Sequence, residues 1–543
     1  MLDLSSRTLL ASLAALSLVT ACDSEDPGPS VLGLALKLYT PSGAPDPYAG
    51  VGWMRLVLTG DGLSAPFIQT LPYTAGGSAS LEGVPFSLPG QRRRLMVEGL
   101  SDAGGQPGFV ISRGRSPEVE IQAGSGLQDF EVLFARVNSF AQLTSTTTRA
   151  AQKLSTPRVG HAVTVTSLEV VVSGGGTFTA GTSPWWTGAG FQNVSNSIEA
   201  ISMSSRDIAP RSNMLLARTW HTGTALSSGQ VIFAGGFGAD GQPTSTVELY
   251  NPPGVGPFGG APIGLLPLAT PRAGHTATMI DEDKRLILFV GGDATGTWEL
   301  WDPDNGSRGL RQLPDSRIRR HHQATTFYVP GRTEPAVLIS GGESFGIPTA
   351  GTHNNIILYD SVADTMLGIE QVMPGGPRTQ HSAVYVPARN FIYIAGGFGD
   401  IGRQTTVPSI DVFDIAQTRL LEGQSGFRMR SGRGGHAAVL LSDNLVFMAG
   451  GLGEEPPGTG MRPLGSLEVI YEFIDTTSLT LRIEVASSWN PNGVGQVPYM
   501  PTDRVGHRVV NLDGMALVIG GAAFEPLSSS YRAVPELWLY NPQ

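Results

Sequence analysis

Seven short apolar runs, each closed by a pair of glycines, punctuate the C-terminal three quarters of the chain. They read EVVVSGG, QVIFAGG, LILFVGG, AVLISGG, FIYIAGG, LVFMAGG and ALVIGG, and end at Gly175, Gly236, Gly292, Gly342, Gly397, Gly451 and Gly521. Runs this short, bounded by glycine, predict β-strands. An alternating or apolar segment precedes each run across a polar or glycine-containing turn, such as Asp281-Glu282-Asp283-Lys284, Ser228-Gly229 or Asp513-Gly514. That spacing predicts a tight antiparallel hairpin at the start of every unit. A loop of variable length follows, then a third strand marked by Tyr250, Trp301, Tyr359, Phe413, Tyr471 or Tyr540; the first unit has no aromatic residue between Ser197 and Met203. A weaker fourth strand leads into the next unit.

Each hairpin is preceded by Arg-x-x-His, at Arg158/His161, Arg218/His221, Arg272/His275, Arg319/His322, Arg378/His381, Arg433/His436 and Arg504/His507. A period of about fifty residues, four antiparallel strands, the glycine pair and the aromatic third strand resemble the kelch repeat, also seen in galactose-oxidase-like central domains. The resemblance implies an all-β fold, a seven-bladed kelch-type β-propeller over residues 138–543. It is imperfect, since the tryptophan of the family's fourth strand is mostly missing here. The last unit stops at Asn541-Pro542-Gln543, just after its third strand, while Asn138 to Thr144 (NSFAQLT) looks like a fourth strand with no preceding three. A blade built from both ends would close the ring and remove unpaired strand edges.

Residues 31–137 alternate in strand fashion without repeating: LGLALKLY, GWMRLVLTG, ASLEGVPFSL, RRLMVEGLSD, GFVISRG, PEVEIQAG and FEVLFARV. Seven short strands between turn residues predict a small β-sandwich of immunoglobulin-like or transthyretin-like kind. Ahead of it, an n-region with Arg7 and an apolar run from Leu9 to Val19 have the layout of a secretory signal, too short to span a bilayer stably. Val19-Thr20-Ala21-Cys22 resembles the lipobox of bacterial lipoproteins. That resemblance implies a signal peptide over 1–21 and acyl chains on Cys22. Residues 22–30, acidic and broken by proline, then form a flexible tether. The expected location is the bacterial cell envelope, lipid-anchored, on the outer membrane or facing the periplasm, with surface exposure an option.

Composition sharpens this picture mainly by exclusion. A net charge of −10 removes the basic stripe that nucleic acid requires. The only cysteine is Cys22, so no internal disulfide forms, and the Tyr–Cys cross-link of copper radical oxidases is excluded. One histidine per blade spreads the imidazoles too widely for a metal, which needs several donors within about 2.0–2.3 Å of one point. The fourteen signature residues are therefore expected to be structural, with Arg and His bonding backbone carbonyls between blades, and no metal, cofactor or catalytic residue is assigned. His321 and His353 stand outside the signature. Asp293 to Trp298 (DATGTW) is similar to a sialidase Asp-box but is out of register, and reads as a loop entering the third strand.

Three loops between second and third strands are long: Gly176 to Ser195, Leu452 to Gly465 and Ala522 to Pro535. Such loops gather on one face of a propeller and vary freely. The first holds Phe178, Trp185, Trp186 and Phe191, candidate anchors for a glycan or protein partner, unless they fold back over neighbouring blades. The expected function is a non-catalytic envelope protein that binds such a partner; the alternatives are a carbohydrate-directed propeller enzyme, sialate isomerase-like, and a scaffold with no specific ligand.

Overall fold

The computed structural model describes residues 6–10, 33–75, 84–85, 87–88, 90–121, 127–178, 191–254, 260–345, 350–421, 427–441, 444–475, 480–487, 498–525 and 530–542. Cys22, the tether, Trp185 and Trp186 lie outside them. The described chain is all-β and propeller-like, with one three-residue 3-10 turn at Pro387–Arg389. No described helix is long and apolar enough to cross a membrane.

Among the described residues, seven four-stranded antiparallel sheets follow the repeats. Their second strands, for example Leu286–Val290 and Met515–Ile519, are buried at every position, except that Pro335–Ser340 and Phe391–Ala395 begin on a half-buried residue. This is why those segments read as continuous apolar runs rather than alternating ones. The first strands, from Ala162–Val165 round to Arg508–Leu512, neighbour one another in sequence order, and the last also neighbours the first. The seventh sheet takes its outer strand from the other end of the repeat region: Ser139–Gln142 pairs antiparallel with Trp538–Asn541.

A second set of bonds runs around the assembly. The second glycine of each pair donates its N–H to the carbonyl of the next signature arginine, from Gly175 to Arg218 (2.9 Å) through Gly451 to Arg504 (2.9 Å), and Gly521 returns to Arg158 at 3.1 Å. The preceding glycine is required by close approach. At Gly291, where φ is +62°, a Cβ would stand 2.4 Å from the Arg319 carbonyl oxygen. One register differs from the sequence reading. In the sixth sheet Ile470, not Tyr471, faces Val446, the place that Tyr250 takes opposite Val231.

Residues before the repeats form one hydrogen-bonded sheet of seven strands, in which Gly33–Tyr39 and Leu127–Arg136 run parallel. The sequence suggested two facing layers. Register shifts at Val51/Trp53 and around Leu100 let a single sheet bend, and Leu36, Leu56, Val97, Val132 and Phe134 share one core. Phe67–Pro72 is a strand that the sequence reading left out, whereas the described part of the 117–124 segment, residues 117–121, forms no strand and bridges from Val119 to Arg93. Ser6–Leu10, within the segment read as a leader, pairs antiparallel with Gly33–Tyr39.

This unit is continuous with the repeats. Tyr39, Leu133 and Ala135 share a core with Leu154, Val170, Leu512 and Met515. The Asn541 side-chain amide donates to the carbonyls of Arg113 (3.0 Å), Ala135 (2.8 Å) and Arg136 (3.3 Å). These contacts lie at the hairpin-turn ends of the sheets, opposite the Arg-x-x-His ends.

Candidate functional site

Each signature arginine is completely buried, and burial alone would favour the uncharged form, so each charge must be answered locally. Arg158 shows how. It donates to the carbonyls of Gly174 (2.9 Å) and Ser197 (3.1 Å), to the Ser197 hydroxyl (2.9 Å) and to the Glu199 carboxylate (2.6 Å). Arg218 repeats the set with Gly235, Thr246 and Glu248, Arg272 with Gly291, Thr297 and Glu299, Arg378 with Gly396, Ser409 and Asp411, and Arg433 with Gly450, Ser466 and Glu468. Every one of these partners belongs to the arginine's own sheet. Between sheets, the arginine acts through its backbone: its carbonyl accepts from the glycine of the preceding sheet, and the N–H groups of Arg218, Arg272, Arg378 and Arg504 donate back to that sheet.

The carboxylates were missed in the sequence, yet they carry a signal: Ser/Thr-x-Asp/Glu opening five third strands. Two sheets depart from it. Asn355 replaces the hydroxyl residue in the fourth, where Asp315 supplies the carboxylate to Arg319. In the seventh, Arg504 donates to the Glu536 carbonyl at 3.2 Å, and burial lowers its pKa to about 10.

The signature histidines bridge to the preceding sheet. The Nε2 atoms of His221, His275, His322, His381 and His436 lie 2.8–3.1 Å from the hydroxyls of Ser173, Thr222, Thr276, Ser340 and Ser382. Among the described residues His161 and His507 meet no such hydroxyl, and the ring nitrogens of both are buried without a hydrogen-bond partner. Burial, reinforced by a nearby arginine, holds all seven well below the ordinary range, with His275 and His436 at about 3. They are neutral at neutral pH. Among the described residues no group of three His, Cys, Asp or Glu is placed to hold a metal. His353 stands apart, bonded to Ser344 (3.1 Å) and the Ile318 carbonyl (3.2 Å). Asp293 accepts from the N–H groups of Thr295 and Thr297 and pairs with Arg272, so DATGTW is a turn bracing the third strand.

The residue before each signature histidine has positive φ: Gly160, Trp220, Gly274, His321, Gln380, Gly435 and Gly506, between 50° and 66°. N–H to carbonyl bonds link these seven in sequence order, Trp220 to Gly160 (2.8 Å), Gly274 to Trp220, His321 to Gly274, Gln380 to His321, Gly435 to Gln380 and Gly506 to Gly435. All of them except Gly160 line a cavity of about 340 Å³ on the axis of the sheets. Glycine adopts this conformation freely, whereas each other side chain costs roughly 1–2 kcal/mol. Trp220, His321 and Gln380 accept that cost, and all three line the cavity. Trp220 and His321 meet edge to face with centroids 4.5 Å apart, and a Cβ on the intervening Gly274 would sit 3.0 Å from the His321 ring. The cavity wall also contains Arg508, the first residue of the seventh inner strand.

On the Arg-x-x-His face the three long loops become neighbouring β-hairpins. Leu452–Gly453 pairs with Arg462–Pro463, Ala522–Glu525 with Ser530–Ala533, and Thr177–Phe178 with Phe191–Gln192. The second touches both others. Phe191 does not stand free: it is half-buried beside Val159, Val505 and Ala522, with its ring over Gly160. More accessible is Phe524, 39% exposed, whose ring meets the half-buried Tyr531 edge to face at 5.4 Å.

No family model and no curated protein matches the chain. Among solved structures, that of YjhT resembles it over 71% of this chain and 95% of its own, with 11% identity and a TM-score of 0.40. A likeness at that level carries no argument about activity.

Proposed function

We propose that this chain is a lipid-anchored, non-catalytic protein of a bacterial envelope, a seven-bladed kelch-type propeller whose Arg-x-x-His face captures a glycan or protein. One observation carries the reading: the three long loops are contiguous hairpins on the face opposite the N-terminal unit. A small immunoglobulin-like or transthyretin-like module then acts as a rigid spacer, with acyl chains on Cys22 and the 22–30 tether beyond it. An anchor at that end aims the hairpins away from the membrane.

Two experiments test it. Radiolabelled palmitate marks the wild type but not Cys22→Ala, and the variant moves to the soluble fraction; a variant that stays with the membrane sinks the anchor. On a glycan array the full mature chain binds defined sugars, and replacing both Phe524 and Tyr531 by Ser weakens binding by about thirtyfold, a loss of roughly 2 kcal/mol for an aromatic anchor. Turnover of an arrayed oligosaccharide would establish the enzyme alternative. Silence on both the array and an envelope-protein pull-down would leave a scaffold.

A further inference from the structure

Arg508, partly exposed on the cavity wall, differs from the fully buried signature arginines, all of which donate to acceptors within their own sheet. Arg158, Arg218, Arg272, Arg319, Arg378 and Arg433 each meet a carboxylate. Among the described residues no carboxylate or hydrogen-bond acceptor reaches the Arg508 guanidinium, which stands 5.9 Å from the centroid of the Trp220 ring and close enough to His161, His221 and His507 to disfavour their protonation. Burial alone lowers its pKa, and a guanidinium stays protonated even so. Corresponding positions in the other sheets hold Ala162, Thr222, Thr276, Gln323, Ser382 and Ala437, all small or neutral. Nothing in the repeat requires a charge there.

The cavity that Arg508 faces has no acidic residue in its wall, although the chain is acidic overall. Of its six wall histidines, the five signature ones are neutral and engaged with hydroxyls of neighbouring sheets, and the sixth is His321. Arg508 therefore supplies an unopposed positive charge. A second unanswered group lies on the same wall: Gln380 is 7% exposed, and neither its amide oxygen nor its amide nitrogen has a partner. Buried amides are normally satisfied, so an unmet one facing a cavity marks a place for a ligand. Gln380 is also one of the three side chains held in a left-handed conformation where four sheets use glycine. The other two, Trp220 and His321, present an aromatic corner.

We infer that the axial cavity binds a small organic carboxylate, its oxyanion on Arg508 and the Gln380 amide and its flat or apolar body against Trp220 and His321. A guanidinium fork matches two carboxylate oxygens, and the volume is at the lower end for organic ligands. This site is separate from the hairpin face and does not depend on the glycan- or protein-capture reading.

The test is calorimetric titration of the full mature chain with benzoate, acetate, inorganic phosphate and benzyl alcohol, with melting temperatures in parallel. Benzoate binds, more tightly than acetate or phosphate, and benzyl alcohol does not. Arg508→Gln weakens benzoate roughly ten- to hundredfold, the worth of a charge-assisted hydrogen bond, whereas Trp220→Leu weakens benzoate and leaves acetate unchanged. Without ligand, Arg508→Met melts higher than the wild type, because a cation with no acidic partner leaves the cavity wall; benzoate then raises the wild-type melting temperature only. The inference is overturned if no anion binds at concentrations on the order of 10 mM, if Arg508→Gln binds benzoate as well as the wild type, or if Arg508→Met melts lower.

Discussion

Burying a guanidinium is tolerable only where its donors are all met, and the repeat meets them with one glycine carbonyl, one Ser or Thr and one carboxylate. Removing the acid strands the cation. Glu248→Ala deprives Arg218 of its carboxylate and leaves the N–H groups of Leu215 and Leu216 unanswered. Breaking such a pair costs about 3–5 kcal/mol, which urea denaturation would register as a lower midpoint at unchanged slope. The glycine pairs are equally intolerant. Gly291→Ala places a methyl group against the Arg319 carbonyl; exposed Gly309 also has positive φ and shares the left-handed strain of roughly 1–2 kcal/mol, but nothing lies within 4 Å of a Cβ there, so the clash alone puts the thermal midpoint of Gly291→Ala well below that of Gly309→Ala.

The elements differ in how openly they announce themselves. Second strands are buried on both faces, so their sequences are unbroken apolar runs and easy to find. Third strands were found by an aromatic residue, a looser marker, and in the sixth sheet it misplaced the register by one because Tyr471 stands beside the true position, Ile470. The Ser/Thr-x-Asp/Glu pattern at the start of the same strands would have fixed that register, since Ser466 and Glu468 both contact Arg433. Outer strands such as Thr365–Val372 are largely exposed and carry no such constraint. The seventh sheet is special, because Asn541, at the end of its third strand and opposite Ser139 of the outer strand, ties it to the N-terminal unit. Asn541→Ala removes three donated bonds and leaves buried carbonyls unmet, at a cost of about 1–3 kcal/mol. Native-state hydrogen exchange would show Ser139–Gln142 opening before the strands of the third sheet; equal protection in the variant and the wild type would refute this.

Across the whole molecule, seven buried neutral histidines couple stability to pH. Their folded pKa values lie far below the unfolded value of about 6.5. Above that value neither state takes up protons and stability is flat. As pH falls below about 6.5 the unfolded chain binds protons that the folded one refuses, and each histidine removes roughly 1.4 kcal/mol per pH unit, continuing to about pH 3 for His275 and His436. Urea midpoints measured from pH 8 to pH 5 should hold steady and then drop steeply, with a shallower drop in His275→Gln. A profile level down to pH 5 would contradict the buried, neutral assignment.

Local chemistry made the all-β, four-stranded organisation legible, because strand length, turn residues and the glycine pairs are short-range properties that repeat along the chain. The axial cavity was not legible in that way. Trp220, His321, Gln380 and Arg508 are separated by 288 positions in sequence, and each looks like ordinary variation within a repeat. Only the closing of the inner strands around an axis brings them to one wall, where a tolerated backbone strain and an unanswered charge become chemistry. The carboxylates lie between these extremes: they stand in the third strands for anyone to read, but their purpose appears only once a buried arginine is found beside them.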